Sequence, residues 1–219
     1  MNLDQISEDV RRRFDQRMEA RERALPAARR AIRSCANAIR AIHRSEWDQA
    51  HRLMDQAKAA IDEGLSAVHD HPEIRFAGYL QDAQKEYAEA RITEAVVTGS
   101  GQLPTPEELG VEDAPFLNGM AEAIGEGRRH ILDLLRNGEV DRGEAILSAM
   151  DDIYYVLVSM DYPDAITMNL RRSTDVARSL IEKTRGDLSI AIVQRQLRDA
   201  LDRHAKDVLG QEPDRPLLG

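Results

Sequence analysis

The chain has 219 residues, enough for one large domain or two small ones, with 42% hydrophobic and 32% charged residues. Aromatics are only 4%, which argues against a β-sandwich built on aromatic cross-strand pairs, and no apolar run reaches the ~18–20 residues that cross a bilayer. With 39 acids against 30 bases the net charge is -9, a poor global match for a polyanion unless the arginines gather on one surface.

Helical periodicity dominates the chain and no alternating strand pattern is present. The first helix is expected over residues 3–44. Its second half carries Ile32, Cys35, Ile39 and Ile42 at helical spacing. Pro26 interrupts it, either kinking one helix or starting a second. Ser45 with Asp48 opens a helix over 45–68. After Pro72 a third runs to about residue 97, with Phe76, Tyr79, Leu80, Ala83, Tyr87 and Ala90 on one stripe. Thr105-Pro106-Glu107-Glu108 reads as a capping box opening one short turn. A fourth long helix spans 114–136, closed by Asn137-Gly138. The next, 139–160, is apolar enough to be buried on most sides. Tyr162-Pro163-Asp164 is a turn, followed by helices over 164–184 and 187–209. The last carries Ile190, Val193, Leu197 and Leu201 on one face, and residues 210–219 form a flexible tail.

Short connections between these segments predict an all-α, single-domain bundle of about seven helices over residues 1–209. Half-buried faces on the two terminal helices point to self-association. The N-terminus lacks the apolar stretch of a secretory signal, and one cysteine, Cys35, suits a reducing cytoplasm.

Two acidic pairs carry candidate chemistry. Glu86 with Glu89 and Glu122 with Glu126 each place both carboxylates on one side of a helix. Glu122 and Glu126 lie opposite the Met120/Ile124/Ile131 stripe. Glu89 points away from Phe76/Leu80/Tyr87, and Glu86 sits at the edge of that stripe. Grouped carboxylates suit Mg2+, which can polarise a phosphoryl oxygen and acidify a water. With so many acids, such pairs also arise as solvated helix faces, Glu108 with Glu112 being another. Arg33, Asn37, Arg40 and Arg44 step along one face of the first helix, a stripe that could track phosphates or pair with neighbouring acids. Cys35 reads as a packed core thiol. No Glu has His three residues on, so the di-iron bundle pattern is missing, as are glycine-rich phosphate loops.

From Glu126 onward the sequence resembles the translin family. The stretch ILSAMDDIYYVLVSMDYPDAITMNLRRSTDVARSLIEKTRGDLSIA (146–191) follows its pattern, and Asp187-Leu188-Ser189-Ile190 resembles the family's C-terminal helix signature. Gln84-Lys85-Glu86-Tyr87-Ala88-Glu89-Ala90 is similar to the QEYVEA-type segment of the translin-associated factor X (TRAX) branch, and Gly125 before Glu126 fits that branch too. The resemblance covers residues 27–191.

It implies that Glu86, Glu89, Glu122 and Glu126 bind one or two Mg2+ and cleave single-stranded RNA. Arg33, Arg40, Arg44 and Arg129 would hold phosphates. It also implies a closed octameric shell with the nucleic acid, RNA or alternatively DNA, inside. One departure is Glu122, whose position is usually Asp in that branch. A non-catalytic single-stranded RNA- or DNA-binding module is the alternative.

Overall fold

The computed structural model describes residues 2–209, and all its regular structure is helical. In chain order the helices are α1 (Leu3–His43), α2 (Trp47–Ala67), α3 (Pro72–Arg75), α4 (Tyr79–Thr98), α5 (Pro106–Leu109), α6 (Asp113–Arg136), α7 (Val140–Val158), α8 (Asp164–Thr167) and α9 (Leu170–Leu209). The all-α expectation holds, with six long helices and three single turns among the described residues in place of about seven helices. None is long and apolar enough to cross a membrane. The tail expected to be flexible, 210–219, lies outside the described residues.

Helix α1 is continuous through Pro26. The proline removes one backbone donor, but Ala24, Ala27, Ala28 and Ala31 around it are buried in the core. Tertiary packing, rather than local propensity, keeps such a helix intact. The Ile32/Cys35/Ile39/Ile42 stripe is therefore half of the buried face, and a row of alanines against α2 is the other half. Cys35 is fully buried, as expected. Ser45 does not cap α2; it turns the chain at φ 57°, and α2 starts two residues later.

The expected helix from Pro72 onward is split. Gly78, at φ 98°, breaks the chain between α3 and α4 in a conformation that side-chain-bearing residues avoid. Phe76 thus leaves the predicted stripe and is 63% exposed, with the Arg75 guanidinium over its ring. Gln81 Oε1 accepts a bond from the Gly78 N–H and fixes the start of α4. At the other connection, the Thr105/Glu108 capping box forms as predicted, and Gly138 closes α6 at φ 81°.

Two further expectations are corrected. Helix α7 buries one stripe only, Val140, Gly143, Ile146, Met150, Ile153 and Leu157, while Tyr155 is 71% exposed. Its apolar residues exceed what a single packed face can cover. The predicted pair over 164–184 and 187–209 is instead the single turn α8 and the 40-residue α9. The break falls at Met168 and Asn169, both left-handed, and Gly186 is carried within α9 without interrupting it.

Helix α4 is the central element, packed by α1, α2, α6 and α7. Two polar clamps set its neighbours. Gln84 Oε1 accepts from the Glu112 N–H at 2.7 Å, seating the start of α6 on α4. Asn118, 6% exposed, donates to the carbonyls of Ala114 (2.9 Å) and Thr167 (2.8 Å) and accepts from Ser173 Oγ (2.9 Å). It ties α8 and the first turn of α9 to α6. Asn118→Ala strands a buried carbonyl and a hydroxyl, so stability should fall by about 1–3 kcal/mol in a chemical-denaturation titration.

Candidate metal centre

Where α4 crosses α6, both helices must approach closely for their acids to meet. Gly119 permits this. A Cβ at that position would lie 2.5 Å from the Lys85 carbonyl oxygen and 2.9 Å from the Glu89 nitrogen. The backbone of the turn 85–89 therefore rests directly on α6, with Glu122 one turn further along.

Glu86, Glu89 and Glu122 converge as the sequence suggested, each offering an oxygen within 4.8 Å of the others. Glu89 does point away from the Leu80/Tyr87 stripe, but not into solvent. It is 8% exposed, because α6 covers that second side of α4. It has no hydrogen-bond or ion-pair partner among the described residues. Burial first, then the charges of Glu86, Glu122 and Glu126, push its carboxyl up to about 8. Burial and Glu122 also raise Glu86, against the pull of Lys85.

Glu126 is held differently. His43 at the end of α1 donates from Nε2 to Glu126 Oε2 at 2.5 Å, and Arg129 lies 3.8 Å from the same oxygen. The hydrogen bond from His43 holds this carboxyl below its usual range, outweighing burial. His130 stacks near His43, ring centroids 6.0 Å apart, and burial, then His43, lowers its pKa. The fourth predicted carboxylate thus adjoins the cluster but is already engaged.

Lys85 is the residue sequence reasoning passed over. Its Nζ donates to both Glu122 oxygens at 2.7 and 2.6 Å and sits 3.4 Å from Glu86. Burial opposes its charge, but Glu122 and Glu86 overcome that and raise its pKa. One signal was available: it is among only four lysines and lies inside the motif that carries two of the acids. His43 had no such signal, since only the tertiary fold brings it to Glu126.

The cluster opens into a cavity of about 350 Å³, lined by Glu89, Glu122, Arg172, Ser173, Val176 and Leu180. A larger cavity of about 660 Å³, between residues 95–103 and α7, has Asp152 as its one carboxylate. It lacks convergent acids.

Among the predicted phosphate holders, only Arg129 touches the acids. Arg33 and Arg40 on α1, and Arg44 just after its end, are exposed; Arg40 donates to Asn37 and Arg44 pairs with Glu46. Arg40 lies one turn before His43, so the stripe leads toward Glu126 without reaching it. The chance pair Glu108/Glu112 is spent locally: Glu108 caps α5, and Glu112 receives Arg75 and Gln81. That contrast sets Glu89 apart.

The donor set fits a hard divalent cation. Carboxylate oxygens from two helices face one point, and that of Glu89, at the edge of the cavity, has no hydrogen-bond or ion-pair partner among the described residues.

No family model matches the chain. It is 32% identical over 185 residues to an uncharacterized protein of Methanocaldococcus jannaschii, covering 84% of this chain and 81% of that protein. Its fold is similar to AfC3PO, solved as a complex with duplex RNA, with TM-score 0.80 and 32% identity over 90% of this chain and 99% of that one. A second AfC3PO structure gives TM-score 0.79 and 31% identity, over 90% and 100% of the two chains. Apo-NeC3PO, at TM-score 0.71 and 19% identity over 87% and 97%, shares the fold.

Proposed function

Because the chain belongs to the translin family, we propose that it is a Mg2+-dependent endoribonuclease of the TRAX type, cleaving single-stranded RNA inside a homo-oligomeric shell. One observation carries this reading: Glu86, Glu89 and Glu122 meet at one point, with Glu89 buried and unpartnered among the described residues. These three would hold Mg2+, and Glu126 stands beside them. When bound, the ion would polarise a phosphoryl oxygen and lower the pKa of a water.

The chain's own groups do the rest. Glu126 has Oε2 fixed by His43, which leaves Oε1 to take a proton from the attacking water. Arg172, which lines the cavity, and Arg129, beside Glu126, would hold phosphate oxygens. Val176 and Leu180 give the cavity an apolar wall. Exposed apolar side chains on the first half of α1 (Leu3, Ile6, Phe14, Met18) and on α9 (Ile190, Val193, Leu197, Leu201) support self-association.

The test is incubation of the chain with end-labelled single-stranded RNA, an RNA duplex and single-stranded DNA, in Mg2+ or EDTA, beside Glu126→Ala. The duplex is included because AfC3PO was solved with one. Expected is cleavage of single-stranded RNA in Mg2+ only, reduced roughly a hundredfold in the variant, with affinity falling as salt rises. Cleavage that survives both EDTA and Glu126→Ala sinks the mechanism. Binding without cleavage supports the non-catalytic alternative, which the longer side chain of Glu122 favours.

A further inference from the structure

We propose that Lys85 takes the place of a second cation in the carboxylate cluster, so that the site accepts one divalent ion per chain. The proposal rests on the reading of this cluster as a metal site, and it specifies how many ions that site holds.

The charges are the starting point. Once ionised around a metal, Glu86, Glu89 and Glu122 contribute three negative charges within one small volume, and Glu126 is already met by His43 and Arg129. The Lys85 ammonium cancels one of the three, leaving two, the charge of a single divalent ion. Its position is also that of an ion. It lies between both oxygens of Glu122 and one oxygen of Glu86, a bridging place that a metal would otherwise take.

Lys85 is held at both ends: its backbone carbonyl lies against Gly119, which seats its turn on α6, and its ammonium, on a side chain 23% exposed, donates to both Glu122 oxygens. The ammonium therefore covers the Glu122/Glu86 side of the cluster. Glu89, buried and without a partner among the described residues, marks the side left for the ion. Paired-ion phosphodiesterases hold their two metals about 3.5–4 Å apart and use both to clamp the reacting phosphate. Here a fixed ammonium would supply one of those two positive charges, as a point charge toward a phosphate oxygen.

The measurement is calorimetric titration of the metal-free full chain with Mn2+ alone, without RNA, so that it does not depend on catalysis. The unaltered chain should bind one Mn2+ per chain, as should Lys85→Arg. Lys85→Gln should bind two, or bind the first roughly tenfold or more tightly, since a positive neighbour is removed. Two ions on the unaltered chain overturn the proposal while leaving a metal nuclease intact. So does Lys85→Gln behaving as the unaltered chain does. No binding at all overturns both this proposal and the metal reading beneath it.

Discussion

Replacing Glu89 by glutamine should abolish Mg2+-dependent cleavage while leaving the metal-free chain at least as stable as the original. The two halves of that outcome have one cause. Glu89 is buried beside Glu86 and Glu122 and has no partner of its own among the described residues. Such a group destabilises the apo fold whenever it is ionised. An amide of the same shape removes that cost, but it also removes the anionic oxygen that a divalent ion needs. Cleavage should fall by roughly a hundredfold or more, beyond the loss typical of a residue that only supports a ligand.

The same residue sets a pH dependence whose sign follows from linkage. Its carboxyl is pushed from 4.5 up to about 8, by burial first and then by Glu86. Across that window the folded chain keeps a proton that the unfolded chain has released, so stability falls as pH rises. Each tenfold change in proton affinity is worth ~1.4 kcal/mol, so the loss is on the order of a few kcal/mol. Glu86 is raised too and adds to the slope. Thermal melts in EDTA at pH 5 and pH 8 should therefore show a lower midpoint at pH 8. Mg2+ should recover it in the unaltered chain, and Glu89→Gln should show a much shallower drop. A flat profile for the unaltered chain would mean that Glu89 is solvated, and the site would lose its main support.

That burial is also where sequence reasoning stopped short. A helical wheel places Glu89 opposite the Leu80/Tyr87 stripe, which is right, but it cannot say whether a second helix covers the opposite side. Since α4 is packed by four neighbours, "away from the stripe" meant a second interface rather than solvent. The pairing of Glu86 with Glu89 and of Glu122 with its helix face was legible because i, i+3 and i, i+4 spacing is local. His43 reaching Glu126, and Lys85 turning toward Glu122, depend on how α1, α4 and α6 cross. Boundaries followed the same division. The Thr105/Glu108 box and Gly138 were readable because their geometry is written in adjacent residues. The unbroken course of α1 through Pro26 was not, because the alanines that hold it are buried against another helix. Met168 and Asn169, which end α8, bear side chains in a left-handed conformation; Asn is a residue type that tolerates it, but nothing in the identity of Met168 announces it.

The second large effect is expected at a residue with no functional group. Gly119→Val should destabilise the fold and remove metal binding together. Any Cβ at 119 would sit 2.5 Å from the Lys85 carbonyl and 2.9 Å from both Ala88 Cβ and the Glu89 nitrogen. These are backbone and stub atoms that cannot rotate aside, so α4 must retreat from α6 by most of an ångström. Overpacking of this kind costs about 1–3 kcal/mol. Gly119→Ala recovers up to ~1 kcal/mol through helix propensity, so its stability loss should be smaller and its loss of metal affinity more informative. The turn that moves carries Lys85, Glu86 and Glu89, while Glu122 stays on the other helix. A displacement near 1 Å between groups that must share one ion can lower activity about a hundredfold. Denaturant titration and Mn2+ calorimetry on Gly119→Ala separate the two effects. Metal affinity falling at least tenfold, with the chain still folded, would tie the site to the closeness of this crossing. Unchanged affinity would mean that the carboxylates reach a common ion without it, and that the contact of α4 with α6 serves packing alone.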